Sequence, residues 1–311
     1  MFQVSFKKPI PTKQLTSTFF KEKIQQVVNF LKNMDHNSIF LAKKAWQDAE
    51  AILIGAGAGM GVDSGLPDFR GNSGFWKAYP PLEKLGIQFH EIANPQWFTD
   101  DPNLAWGFYG HRLDLYQKTK PHHGFEILLE KHTRQEIPMF IFTSNVDGHF
   151  QKAGFKEDQI VECHGSIRHL QCTKACGQKI WRIDSNYKLD IDQDTLRASD
   201  PLPSCPSCYS VARPNILMFS DWEWVSTRTD EQNRQMNSWL NENGNTGLCV
   251  IELGAGPSIP SVRINCEKAW QSTGGTFLRI NPRDYDVSKG ALSLDLRAEE
   301  ALRAIRGNRT S

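Results

Sequence analysis

The sequence predicts an α/β protein: a parallel sheet carrying a small inserted module tied by a metal. Short apolar runs recur along the chain between amphipathic segments. The first run, Ala51-Ile52-Leu53-Ile54, leads directly into the glycine-rich stretch Gly55-Ala56-Gly57-Ala58-Gly59-Met60-Gly61. Two cysteine pairs then break the pattern beyond residue 170. Alternating strands and helices signal a sheet covered on both faces, and ligands of such sheets collect at the carboxyl ends of the strands.

Composition agrees with this class. At 311 residues and 39% hydrophobic content, the chain has material for one large domain and a smaller one. With 36 basic against 35 acidic residues, it has no net charge that would draw it to nucleic acid. Neither an apolar run of spanning length nor a secretion signal is evident, so no membrane contact and a cytoplasmic location are expected.

The first 45 residues carry eight lysines against Glu22 and Asp35. Phe20, Ile24, Val27, Val28 and Leu31 recur at helical spacing, which predicts a basic helical extension over 1–45 with one apolar face. A transit peptide would be rich in arginine, and the first arginine here is Arg70. From residue 46 onward, strands are expected at 51–54, 139–143, 159–161, 248–253 and 276–280. They build a Rossmann-like sheet from 46–170 and 214–297, interrupted by the module at 171–213.

Within that module, Cys172-x3-Cys176 and Cys205-x2-Cys208 stand 28 residues apart. Paired thiolates at this spacing suit a tetrahedral structural Zn²⁺ with all four positions filled by protein. Two disulfides are the alternative, but they need an oxidising compartment, which fits poorly with seven cysteines and no secretion signal. Cys163, Cys249 and Cys266 are expected as buried apolar groups.

A buried strand ending in glycines lets backbone N–H groups approach a pyrophosphate, so the loop from Gly55 predicts a dinucleotide. Its tail, Ser64-Gly65-Leu66-Pro67-Asp68-Phe69-Arg70, adds a carboxylate, an aromatic face and a guanidinium. The whole segment resembles the first NAD motif of the sirtuin family. Thr143-Ser144-Asn145-Val146-Asp147 and the later Cys163-His164-Gly165 are similar to the family's Asn/Asp loop and His-Gly, in the same order. The resemblance covers most of residues 46 to 297.

It implies an NAD-dependent protein-lysine deacylase, acting on an acylated protein or peptide and releasing nicotinamide, free lysine and O-acyl-ADP-ribose. Gly55, Ala56 and Gly57, with Gly254, Ala255 and Gly256, would hold NAD. Asp68, Phe69 and Arg70 would govern its nicotinamide end, Ser144, Asn145 and Asp147 would shape the nicotinamide and ribose pocket, and Asn281 would meet the adenosine ribose. His164 would be the general base, a role suited to a group whose ordinary pKa lies near neutrality. From sequence, Asn281 is equally a strand-ending turn before Pro282.

Three departures from the family pattern stand out. Ser144 replaces a glutamine, Ala255 and Gly256 replace a threonine and a serine, and Ser220-Asp221 replaces Gly-Glu after Phe219. The first two favour an NAD glycohydrolase or ADP-ribosyltransferase as an alternative, and a module that senses NAD metabolites is a further one. Tyr109 and Arg112 share a helix face at i, i+3. They resemble the Tyr-x-x-Arg pair of sirtuins that remove succinyl, malonyl or glutaryl groups, where a phenol and a guanidinium fork bind the acyl carboxylate.

Overall fold

The computed structural model describes residues 37–67, 71–174, 176–245 and 247–307. Phe20 to Leu31 and the Asp68-Phe69-Arg70 triplet lie outside the described residues. The helix over 37–48 runs through the boundary expected at residue 45. Its Ala42 and Trp46, with Ala49 just beyond, are buried in the core beside the sheet.

Among the described residues eleven strands follow: β1 (Ala51–Ala56), β2 (Met139–Thr143), β3 (Ile160–Glu162), β4 (Gly165–Cys172), β5 (Trp181–Arg182), β6 (Ile191–Asp192), β7 (Arg197–Ala198), β8 (Ala212–Ile216), β9 (Leu248–Leu253), β10 (Thr276–Ile280) and β11 (Leu292–Leu294). Six of them form one sheet in the order β11-β10-β9-β1-β2-β3, with every pairing parallel. Counted along the chain, this is the doubly wound 3-2-1-4-5-6 order of the Rossmann fold. Strand order reverses between β1 and β9, and a crevice is expected at the carboxyl ends of those two strands.

Every residue of β1, β2 and β9 is buried, because both faces of the sheet are covered. Ile52, Ile54 and Ile141 face a core shared with Leu128 and Leu302, whereas Leu53, Phe140 and Val250 face Met236, Val262 and Cys266. The period of two along each strand sorts the side chains onto the two faces. The strand expected at 159–161 is Ile160–Glu162, with Gln159 ending a short 3₁₀ turn.

A second core joins the helical segment after the glycine loop to the cysteine module. Trp106, Phe108 and Tyr109 from the helix Pro102–Lys118 pack with Ile167, Leu170, Leu196 and Ala212. The module's antiparallel sheet, β5-β4-β8, begins at Gly165 and ends at Ile216, beyond both ends of the cysteine-bearing stretch. Asp101 caps the helix by accepting from the Leu104 amide (3.2 Å) and also takes a two-pronged contact from Arg197 (2.7 and 2.5 Å). Asn103 Nδ2 donates to Ala198 O at 2.8 Å. Gly107 faces the same hairpin, where a Cβ would sit 1.8 Å from Leu196 O.

The four module thiols lie within 4.8 Å of one another, with Cys172 and Cys208 at 3.5 Å and Cys176 and Cys205 at 3.6 Å. Four thiolates bound at about 2.3 Å to one tetrahedral ion would be about 3.8 Å apart, so Cys172, Cys176, Cys205 and Cys208 are positioned for zinc. A site with four protein ligands contributes folding energy.

Two outcomes follow for stability. Gly107→Ala gains about 1 kcal/mol of helix propensity, but overpacking against a fixed backbone costs about 1–3 kcal/mol. The urea midpoint of that variant should therefore fall; a rise would contradict the docking of helix on hairpin. Metal analysis should give one zinc per chain, and Cys205→Ser should lose both the metal and part of the thermal stability. A metal-free protein of unchanged stability would refute the structural role of the ion.

Candidate active site

At the switch point, the loops after β1 and β9 touch backbone to backbone. Gly57 N donates to Leu253 O (2.9 Å) and Gly59 N to Gly254 O (3.0 Å). A Cβ on Gly57 would lie 2.6 Å from Ala255 Cα, and one on Gly59 would lie 2.7 Å from Gly254 Cα. Gly254 itself takes φ +61°, a left-handed conformation open to glycine. Gly55 serves a different contact: it lies inside β1, and a Cβ there would meet Cys266 Sγ at 2.1 Å. Its place is the packing of a helix on the sheet.

The loop after β2 is clamped to the same glycines. Thr143 Oγ1 donates to Ala56 O (2.8 Å) and accepts from Asn145 N (3.0 Å), while Asn145 Nδ2 donates to Gly57 O (2.9 Å). Ser144 N donates to Ala56 O at 3.2 Å. Asp147 is buried, and its carboxylate accepts from His149 N at 2.9 Å. Asn145 and Asp147 thus stand on a loop held by side-chain hydrogen bonds to the neighbouring backbone, with Val146 between them buried in the core.

His164 follows β3, which is held in place by Cys163 N donating to Thr143 O (2.9 Å). The next residue must be glycine. Gly165 has φ +77°, and a Cβ there would lie 2.0 Å from Asn215 O, where β8 crosses. His164 O accepts from Leu217 N at 2.9 Å, so the backbone is fixed on both sides of the imidazole. Burial holds the His164 pKa below its usual 6.5, and a hydrogen bond to the Ser144 backbone partly offsets this. His164 Nε2 lies 3.2 Å from Ser261 Oγ. The neighbouring Cys163 thiol is pushed up to about 12 by burial, which leaves it without nucleophilic character near neutral pH.

Toward β10, a cavity of about 440 Å³ opens between Gly59, Asp63, Gly254, Asn281 and Arg283. Asn281 is fully buried; its Nδ2 donates to Ala255 O (2.9 Å), and its Oδ1 accepts from the amides of Arg283 (3.0 Å) and Asp284 (3.1 Å). The asparagine thus makes the strand-ending turn and lines the cavity as well. Ala255 O also accepts from Arg263 Nε at 3.2 Å, so two side chains brace the loop that lacks the expected hydroxyls.

Tyr109 and Arg112 are both buried on the helix Pro102–Lys118. The Arg112 guanidinium lies over the rings of Phe108, Tyr109 and Tyr116 at 5.3, 5.6 and 5.4 Å, and donates twice to the Tyr116 hydroxyl at 3.0 and 2.8 Å. Burial raises the Tyr109 phenol to about 12, against the pull of Arg112. Burial also raises the Tyr116 phenol, with Arg112 opposing and the Asp147 carboxylate adding to the rise. After β8, Ser220 takes φ +56° where the family pattern has glycine. Asp221 forms a buried two-pronged pair with Arg213 (2.7 and 2.9 Å).

Three contributors escape sequence reasoning: Ser261, Tyr116 and His122. His122 Nε2 donates to Met60 O (3.0 Å) and Nδ1 accepts from Gly124 N (2.9 Å), which ties the glycine loop to the next helix. Only Tyr116 had a local signal, its i+4 spacing from Arg112.

The Sir2 family profile matches residues 57–238. An NAD-dependent protein deacylase of Thermococcus sibiricus is 34% identical over 170 residues, 55% of this chain and 60% of that protein. One of Aquifex aeolicus is 31% identical over 241 residues, 76% of this chain and 86% of that protein. The chain thus matches less than two thirds of the length of some of these relatives. A solved Sir2 homologue mutant in complex with ADP-ribose superposes with a TM-score of 0.62 at 25% identity, covering 85% of this chain and 94% of the other. A Sir2 homologue–NAD complex gives 0.64 at 24% identity, covering 85% and 91%. With the profile spanning more than half the sequence, the chain belongs to the Sir2 family.

Proposed function

We propose that the chain is an NAD-dependent protein-lysine deacylase working in the crevice at the β1/β9 switch point. The observation that carries this reading is the convergence of three groups there. The glycine loops supply close-approach backbone, Asn145 and Asp147 are clamped beside them, and a partly buried imidazole at His164 is held neutral. NAD would supply an electrophilic sugar carbon with nicotinamide as its leaving group. Gly59 and Gly254 line the cavity that would take its pyrophosphate, while Asn145 and Asp147 would stand at the end where the glycosidic bond breaks.

His164 then removes a proton from a sugar hydroxyl, as a base whose neutral form dominates at pH 7. Burial disfavours the imidazolium, so proton-accepting ability persists to lower pH than for a free imidazole. The relatives named as protein deacylases support a protein substrate.

The acyl pocket would include Tyr109 and Arg112. A buried guanidinium framed by aromatic faces favours acyl groups that end in a carboxylate. Ser144 keeps NAD hydrolysis in view as the second reading, because its short side chain leaves room for water where the family carries glutamine.

Incubation with NAD⁺ and an acyl-lysine peptide should yield nicotinamide and O-acyl-ADP-ribose in equal amounts. Free ADP-ribose without peptide would instead support hydrolysis, and no turnover would support a sensor. His164→Ala should lower deacylation by at least about a hundredfold, and full retention would overturn the assigned base. In kcat/KM against pH, the acid limb should fall below pH 6.5; a midpoint above that value would contradict a base held neutral by burial. Arg112→Met should reduce succinyl-lysine turnover far more than acetyl-lysine turnover, and equal losses would remove Arg112 from acyl selection.

A further inference from the structure

Ser261 is the first residue of the helix Ser261–Thr273, one place after the cap position from which serine ordinarily serves a helix end. It does not do so here. The cap residue is Pro260, the end has no side-chain cap, and Ile264 N is satisfied by Pro260 O at 2.9 Å. The Ser261 hydroxyl instead reaches 97 residues back along the chain to His164 Nε2, at 3.2 Å. Both residues are half-buried, and both stand at the carboxyl-end rim of the sheet, His164 after β3 and Ser261 beyond the β9 loop.

We propose that Ser261 is a positioning residue for His164, holding the imidazole in the tautomer and orientation that a base acting through Nε2 requires. This rests on the deacylase reading for what the base acts upon, but the contact itself stands on geometry. The ring proton is then placed on Nδ1, the one neutral state in which the Nε2 lone pair can accept from the Ser261 hydroxyl.

A hydroxyl suits both states of the base because it both donates and accepts. In the resting site, Ser261 donates to Nε2 and keeps it unprotonated. When a substrate hydroxyl takes that lone pair, its O–H bond breaks, an Nε2–H bond forms, and the electron pair stays on the substrate oxygen. Ser261 then turns its own lone pair to accept from the new Nε2–H. Alanine can do neither, whereas threonine can do both.

The test compares wild type, Ser261→Ala and Ser261→Thr, each confirmed folded by circular dichroism. Loss of one hydrogen bond at the base predicts a kcat about three- to tenfold lower in Ser261→Ala. KM for NAD⁺ should stay unchanged, and Ser261→Thr should restore kcat. Independently of activity, the ¹⁵N resonance of His164 Nε2 should move in Ser261→Ala toward the position of a nitrogen without a hydrogen bond. Wild-type kcat in Ser261→Ala, or an unmoved Nε2 resonance, would overturn the proposal. A wild-type protein without deacylase activity but with the expected Nε2 shift would instead refute the deacylase reading and leave the Ser261–His164 contact intact.

Discussion

The site depends on one close approach, that of the backbone after β1 to the backbone after β9. Gly57 and Gly59 lie so near Gly254 and Ala255 that any side chain on these glycines would enter the neighbouring main chain. Two backbone hydrogen bonds, from Gly57 N to Leu253 O and from Gly59 N to Gly254 O, close the gap. Because β1 and β9 are central, fully buried and parallel, neither loop can move away without opening the sheet. The reversal of strand order supplies the crevice, and the glycines keep its floor free of side chains.

The chemistry-bearing groups hang from this floor. Asn145 and Thr143 bond directly to the carbonyls of Gly57 and Ala56, so the loop after β2 takes its place from the loop after β1. β3 takes its place from β2 through the Cys163–Thr143 bond, and His164 follows. The other end is braced by polar side chains: Asn281 and Arg263 both donate to Ala255 O. The buried Glu252–Arg279 pair beneath them (2.7 and 3.0 Å) joins β9 to β10 in register. A buried pair of this kind is costly to break at one partner, so it fixes the relation between the two loops more than it adds stability.

Much of this was legible in the sequence, for identifiable reasons. Strands buried on both faces are continuous apolar runs, so 139–143, 248–253 and 276–280 were visible as they stand. The three-residue β11, half-exposed at the sheet edge, has no such run. A helical extension was expected over 1–45, but not its continuation to residue 48 or the burial of Ala42 and Trp46 beside the sheet, which depend on the strands they pack against. The cysteine pairs announced the metal-binding cluster, but not the hairpin that docks on Gly107, because that contact is backbone to backbone. Ser261 was illegible on principle. Its partner is distant in sequence, and a serine at a helix start already has an ordinary explanation. Conversely, Ser220 broke the family's glycine pattern without breaking the backbone, which keeps the left-handed conformation at a cost of about 1–2 kcal/mol.

The central claim is that the contact between the β1 and β9 loops forms a dinucleotide site. Calorimetric titration of NAD⁺ onto the wild-type protein and onto Gly57→Ala tests it most directly. The account predicts one NAD⁺ per wild-type chain and an affinity at least about tenfold weaker in the variant, with the helix and sheet content of the two proteins alike. Equal affinity in a folded Gly57→Ala protein would contradict it.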